Sequence, residues 1–228
     1  MFEAYTLRAR LAPAALAAIP AITLIVGAAA SVKNSASLIA IMLGGIGLVV
    51  CGLVRDAGRR VEPELWDSWG GPPTTARLRW RSASDASRLE ELHALVAEAT
   101  GRALPTHADE AHDPATADAS YERAVAVLRD LTRSRDHFPL IFDELATYGF
   151  RRNCLGVRPI ALAVAASAVV ASAVLVWRAS RYEYLIGGAA GLGALAWWST
   201  CVNPAWVRQT AELYADRLLA SPAVLIRD

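Results

Sequence analysis

The residue types best suited to chemistry gather in one segment, Leu65-Trp-Asp-Ser-Trp-Gly-Gly-Pro-Pro-Thr-Thr-Ala-Arg-Leu-Arg-Trp-Arg81. Gly70-Gly71-Pro72-Pro73 forces a turn, because glycine supplies positive φ and each proline fixes its own. Thr74 and Thr75 lead into Arg77-Leu78-Arg79-Trp80-Arg81, whose alternation predicts a strand. A strand would set Arg77, Arg79 and Arg81 on one face, near Trp66 and Trp69. Rings beside guanidinium groups are how proteins hold bases and phosphates. The competing reading is an interfacial elbow, with tryptophan at headgroup level and arginine on lipid phosphates. The segment follows closely on an apolar run, which favours the elbow. A second segment, Tyr148-Gly-Phe-Arg-Arg-Asn-Cys154, mirrors it ahead of a later apolar run. Arg151 and Arg152 either complete a basic pocket with Arg77 and Arg79 or simply enforce topology, and the plainer role is preferred.

Other chemistry has weaker support. His107 and His112 stand near Asp109, Glu110 and Asp113, but in a Pro-bounded stretch that fits no metal-binding spacing. A solvated acidic turn is the better reading, so neither a metal nor a cofactor is expected. His93 and His137 fall in predicted helices with no serine or cysteine nucleophile at a recognisable elbow. The chain has no GxxxxGK[ST], no strand-to-helix GxGxxG and no HExxH, and no enzymatic activity is expected. Cys51, Cys154 and Cys201 form an odd set without CxxC spacing, which gives neither a disulfide framework nor a zinc signature.

The elements that must position these residues follow from composition. Of 228 residues 54% are hydrophobic and 20% charged, against about 25% charged in average soluble domains. The apolar excess lies in two blocks at the ends, around a polar middle. Four uncharged runs result, at about 11–30, 36–54, 160–177 and 184–202. Each approaches the roughly 20 residues that cross a bilayer. Four buried core helices would leave too little chain to cover them, so lipid is the expected solvent. Arg8 and Arg10 before the first run, and Ala28-Ala29-Ala30-Ser31 after it, also suit a signal peptide. The run is long for one, and a second run follows at once, so a helical hairpin is preferred.

Arg8, Arg10, Arg55, Arg59, Arg60, Arg151, Arg152, Arg158 and Arg208 flank the runs on one side, against Lys33, Arg178 and Arg181 on the other. By the positive-inside rule both termini and the middle are cytoplasmic, in a multi-pass inner-membrane protein. Tyr182, Tyr184, Trp177, Trp197 and Trp198 would form aromatic belts. Gly44, Gly45 and Gly47 in the second run, and Gly187 and Gly191 in the fourth, are small-residue faces that let helices approach closely. They predict tight packing within the chain or in a homo-oligomer. No Asp, Glu, Lys, Arg or His lies within a run, which argues against a proton relay or a coupled-ion transporter.

The expected architecture is therefore an all-α membrane protein: a transmembrane hairpin over 1–55, a cytoplasmic helical domain over 56–157, a second hairpin over 158–202, and an amphipathic tail over 203–228. The middle holds 13 arginines and 17 acids, a net of −4, so no specific nucleic-acid binding is expected. Ser84 to Thr100 predicts a helix closed by Gly101, with a stripe of Leu89, Leu92, Leu95, Val96 and Ala99. Asp113-Pro114 opens a second helix, striped by Tyr121, Ala124, Val125, Leu128 and Leu131. A third runs from about Asp136 to Tyr148 and stops at Gly149. In the tail, Asn203-Pro204 opens a helix whose Val207, Ala211, Tyr214 and Leu218 form one seam, expected to dock on the cytoplasmic domain.

This layout resembles the four-transmembrane pore-forming effectors of bacterial nucleotide-signalled antiphage systems. The resemblance covers span arrangement, size and the Trp/Arg-rich elements Trp66 to Arg81 and Tyr148 to Arg152. It implies an oligomer that senses a small anionic ligand, or a partner protein, in the cytoplasm and permeabilises the inner membrane. The alternative is a non-conducting anchor or scaffold that assembles a partner through its cytoplasmic helices.

Overall fold

The computed structural model describes residues 5–29, 35–180 and 182–227; side-chain surroundings are described for 5–25, 51–178, 180 and 182–227. The packing of Gly44, Gly45 and Gly47, and of the second run as a whole up to position 50, lies outside the described residues, as do Lys33 and Arg181. Among the described residues the chain is all helix with no strand. A π-helical turn, Leu7–Leu11, leads into α1 (Ala12–Ala29). Then follow α2 (Ser35–Trp69), the single turn α3 (Pro73–Ala76), a 3-10 turn (Trp80–Ser82), α4 (Ala86–Thr100), α5 (His107–His112) and α6 (Pro114–Leu131). The remainder is α7 (Pro139–Ala179), α8 (Tyr184–Thr200), α9 (Pro204–Ala220) and the short α10 (Pro222–Leu225).

Two described helices, Leu7–Ile25 and Pro139–Arg178, are long and apolar enough to cross a membrane. Tyr184–Thr200 and Pro204–Leu225 make a third if the pair, broken at Cys201 to Asn203, is taken as one span. The chain forms two compact units. One comprises 1–62 with 149–207, the other 63–148 with 208–228. Helices α2, α7 and α9 each pass from one unit into the other without interruption.

The first unit is held by close helix approach. Val54, Cys154, Val157, Ala161, Trp198 and Val202 form its core. Trp198, expected in an aromatic belt, is 1% exposed and fills that core, whereas Trp177 is 79% exposed. Asn153, fully buried in α7, donates from Nδ2 to the Ala9 carbonyl at 2.6 Å, tying α7 to the π-turn. Gly187 and Gly191 pack inside the chain. A Cβ on Gly187 would meet Ser172 Oγ at 3.1 Å and Leu24 Cα at 3.3 Å, and one on Gly191 would meet Val169 Cγ2 at 2.7 Å and the Ala165 carbonyl at 3.0 Å. Beyond Gly193 there is open space. Gly193→Ala is therefore expected to be neutral or to gain up to about 1 kcal/mol from helix propensity, whereas Gly191→Ala loses about 1–3 kcal/mol to crowding. Thermal melting of both variants in detergent checks the contrast.

The helix expected to stop at Gly149 does not stop. α7 runs through it for 41 residues, joining the predicted cytoplasmic helix to the third apolar run. Glycine ends a helix when it turns left-handed, but here its missing side chain is used for packing. A Cβ on Gly149 would sit 2.7 Å from the Tyr5 hydroxyl and 3.3 Å from Ala9 Cβ.

The second unit closes around Leu78, Val96, Tyr121, Ala124, Val125, Leu128 and Ile141, with Tyr214, Leu218 and Leu219 of α9 in the same core. The helix expected from Ser84 begins at Ala86, with Asp85 as its cap, accepting from the Ser87 and Arg88 amides at 3.1 Å; Gly101 ends it as expected, at φ +66°. Asp113 caps α6 ahead of Pro114, accepting from the Thr116 amide at 3.1 Å. The tail seam is buried at Val207, Ala211, Tyr214 and Leu218. Two stripe positions face outward instead: Leu95 is 37% and Leu131 45% exposed. On α4 the inward place is taken by His93.

Candidate functional site

The Trp66–Arg81 segment is built as a turn, not the expected strand. α2 ends at Trp69, Gly71 donates to the Trp66 carbonyl at 2.7 Å, and Gly70 and Gly71 take φ of +78° and +122°. Pro72-Pro73 then starts the single turn α3, which buries Thr74 and Thr75, and the chain continues through Leu78, itself fully buried, into the 3-10 turn at Trp80. Extended pairing has nothing to pair with here, while burying Leu78 and the two threonines requires a compact turn. The alternation still has a consequence, because each arginine reaches a carboxylate.

Arg79 forks onto Asp118 of α6, with Nε to Oδ1 and a terminal nitrogen to Oδ2 both at 2.9 Å. It also donates to the Gly70 carbonyl, and a Cβ on Gly71 would lie 2.7 Å from its guanidinium. That close approach is why glycine stands at position 71. Arg81 bonds the same Asp118 at 2.7 Å and Glu110 at 2.9 Å. Arg77 pairs with Asp216 of α9. The side chains of Trp66 and Trp69 are half-buried, and among the described residues neither ring stacks on an arginine.

Glu110 is the centre of this arrangement. It is 2% exposed and accepts from the Trp80 amide at 2.8 Å, the Arg81 amide at 3.1 Å, the Arg81 guanidinium and the Tyr121 hydroxyl at 2.7 Å. Burial works against its charge, yet the Tyr121, Arg81 and Trp80 donors outweigh burial and hold the carboxyl below its ordinary range. The same burial, with the Glu110 carboxylate alongside, pushes the Tyr121 hydroxyl up, so it stays a donor. Trp80 completes the latch, donating from Nε1 to the Pro105 carbonyl at 2.9 Å and meeting the His93 ring edge-on at 5.0 Å.

His93 bonds the Leu78 carbonyl through Nε2 at 2.8 Å. Burial lowers its pKa, more than the Leu78 carbonyl and the Glu110 charge raise it. The unfolded chain then takes up a proton that the folded chain refuses. Stability is complete above about pH 6.5 and declines as pH falls from there toward the lower folded value. A melting temperature that drops below about pH 6.5, with the drop flattened in His93→Gln, is the expected outcome of a pH series.

The His107–His112 stretch, read as a solvated acidic turn, is a short helix. Thr106 and Asp109 form a capping box: the Asp109 amide donates to Thr106 Oγ1 at 3.2 Å, and the Thr106 amide to Asp109 Oδ2 at 2.9 Å. Among the described residues no three His, Cys, Asp or Glu side chains converge for a metal ion. An open groove of about 410 Å³ beside this helix is lined by Pro105, Asp109, His112, Asp113 and Thr116, with both aspartates engaged as helix caps.

In the first unit, Arg151 donates to the Trp206 carbonyl at 2.7 Å and lies 4.7 Å from that ring's centroid. Arg152 pairs with Glu62 at 2.7 Å. The residues missed by the sequence reading are thus the counter-ions Glu110, Asp118, Glu62 and Asp216. One signal was present: Asp118 stands three and seven residues before Tyr121 and Val125, so an acid lies in line with a core stripe.

Comparison with protein-family models, curated proteins and solved structures gave no match.

Proposed function

We propose that this chain is a bacterial inner-membrane effector or channel-like protein, with four spans, cytoplasmic termini and a cytoplasmic helical domain that gates the membrane part. On this reading it oligomerises and permeabilises the membrane in antiphage defence. The observation that carries the reading is the continuity of α2 and α7, which run unbroken from the polar unit into apolar sequence. A continuous helix transmits a rotation or shift at one end to the other, and such helix shifts are a common switching element. The arginines held by Asp118 and Glu110 make this the resting arrangement.

Potassium release from loaded liposomes tests it. Wild-type protein is expected to leak slowly, and Asp118→Ala, which frees Arg79 and Arg81, is expected to leak severalfold faster. No release from either would remove conduction and leave the second reading, a non-conducting anchor or scaffold. That alternative is favoured by one observation: Arg77, Arg79 and Arg81 all have carboxylate partners within the chain, leaving no vacant anion site among them.

A further inference from the structure

The nine arginines that flank the apolar runs on the side read as cytoplasmic differ in what they touch. Arg151 and Arg158 bond backbone carbonyls, Arg158 reaching those of Trp198 and Ser199 at 3.0 and 3.2 Å at the end of α8. Arg152 and Arg208 pair with Glu62 and Glu212, each at 2.7 Å. Arg10 lies over the Tyr5 ring, and Arg8 has a partner as well. Arg55, Arg59 and Arg60 are the exception. Among the described residues none of these three has a carboxylate, carbonyl or ring against it.

Their placement on α2 is specific. Cys51, Val54, Gly58 and Leu65 are buried and mark the face of the helix turned to the protein. Gly52, Leu53, Asp56, Arg59 and Arg60 are exposed and mark the opposite face, with Arg55 half-buried between them. On that outer face Leu53, 64% exposed, gives way to Arg59 and Arg60. At 1.5 Å per residue the change from apolar to cationic takes about 10 Å, close to the end of the apolar run. Asp56 is the single acid in this stretch of the face, and three arginines against it leave a net charge of +2. On the reading that α2 crosses the bilayer, Leu53 meets acyl chains and the arginines meet headgroups.

We propose that Arg55, Arg59 and Arg60 bind the phosphate headgroup of an anionic phospholipid in the cytoplasmic leaflet. The guanidinium fork matches two phosphate oxygens, and the lipid supplies the polar partner that, of the nine flanking arginines, these three lack among the described residues. Each basic residue near an anionic surface favours it about fivefold, so three together give a preference on the order of a hundredfold.

The test uses the full chain in mixed micelles, with retained lipid counted by mass spectrometry. Wild-type protein is expected to keep phosphatidylglycerol over phosphatidylcholine by about that factor, and millimolar glycerol phosphate should not displace it. Arg55→Gln/Arg59→Gln/Arg60→Gln removes the preference. The milder pair Arg59→Gln/Arg60→Gln, both exposed and without a polar partner among the described residues, reduces it about thirtyfold, and Arg208→Gln, whose charge is already paired, leaves it intact. Undiminished retention in both multiple variants overturns the site, and displacement by glycerol phosphate reassigns it to a soluble anion, overturning the lipid. A chain that stays dispersed without detergent would instead remove the membrane reading on which this rests.

Discussion

Replacing Glu110 with leucine is expected to destabilise the protein by about 4 kcal/mol, because it leaves buried donors without an acceptor and the Arg81 guanidinium without one of its two carboxylates. Glu110 accepts from two consecutive backbone amides, Trp80 and Arg81, and from the Tyr121 hydroxyl. These bonds link the 3-10 turn, α5 and α6, beside the ion pair that Arg81 of the turn makes with Asp118 of α6. Glu110 is 2% exposed, so little water can stand in for the lost carboxylate. In a chain of this size 1 kcal/mol corresponds to roughly 2–4 °C, so the melting temperature should fall by about 8–16 °C. Glu110→Gln keeps an acceptor oxygen and is expected to lose about half as much. The acid limb gives an independent check. With its folded pKa held below the ordinary value, Glu110 contributes stability that is complete above about pH 4.3 and is lost as pH falls through the folded value. Glu110→Gln should flatten that limb. A Glu110→Leu melting temperature within about 2 °C of wild type would show that the second unit is held elsewhere.

The second large effect is expected at Gly156. Here α7 meets α2 so closely that a Cβ on Gly156 would lie 2.5 Å from the Gly58 amide nitrogen and from the Ala57 carbonyl oxygen. Both are backbone atoms, so no side-chain rotation relieves the contact, and the helices must separate. Gly156→Ala is expected to lose about 3 kcal/mol, the upper end for overpacking, and Gly156→Leu to prevent the first unit from assembling. Separation would also pull Asn153, one turn earlier, away from the Ala9 carbonyl, leaving two buried polar groups unsatisfied. Gly52→Ala on the same α2 is the matched control, since nothing lies within 4 Å of its added carbon. Size exclusion and thermal melting in detergent separate the two. A Gly156→Ala protein as stable as Gly52→Ala would show that the helix crossing is looser than this geometry.

Asn153 and the glycines around it explain a limit on sequence reading. Asn153 stands between Arg152 and Cys154 with no local pattern to mark it, and its partner Ala9 lies 144 residues away. Gly149 carries an ordinary helix-stop signal, yet the helix continues because Tyr5 and Ala9 occupy the space a side chain would need. Similarly, the alternation of Arg77 to Arg81 matches a strand in period, but the period is set by where Asp216, Asp118 and Glu110 stand, not by a neighbouring strand. The basic character of that segment was legible; its neutralisation was not.

The features legible before folding are those set within a few residues of chain. The apolar runs, the cap at Asp113, the stop at Gly101 and the stripes of α6 and α9 depend on hydropathy, backbone φ and the 3.6-residue period, all local properties. Long-range packing settles which arginines have partners, which glycines are spaces for another helix, and that His93 rather than Leu95 turns inward. These depend on atoms brought together from distant parts of the chain, and a buried charge or a vanished side chain has no periodicity of its own. Its meaning comes from the one atom packed against it.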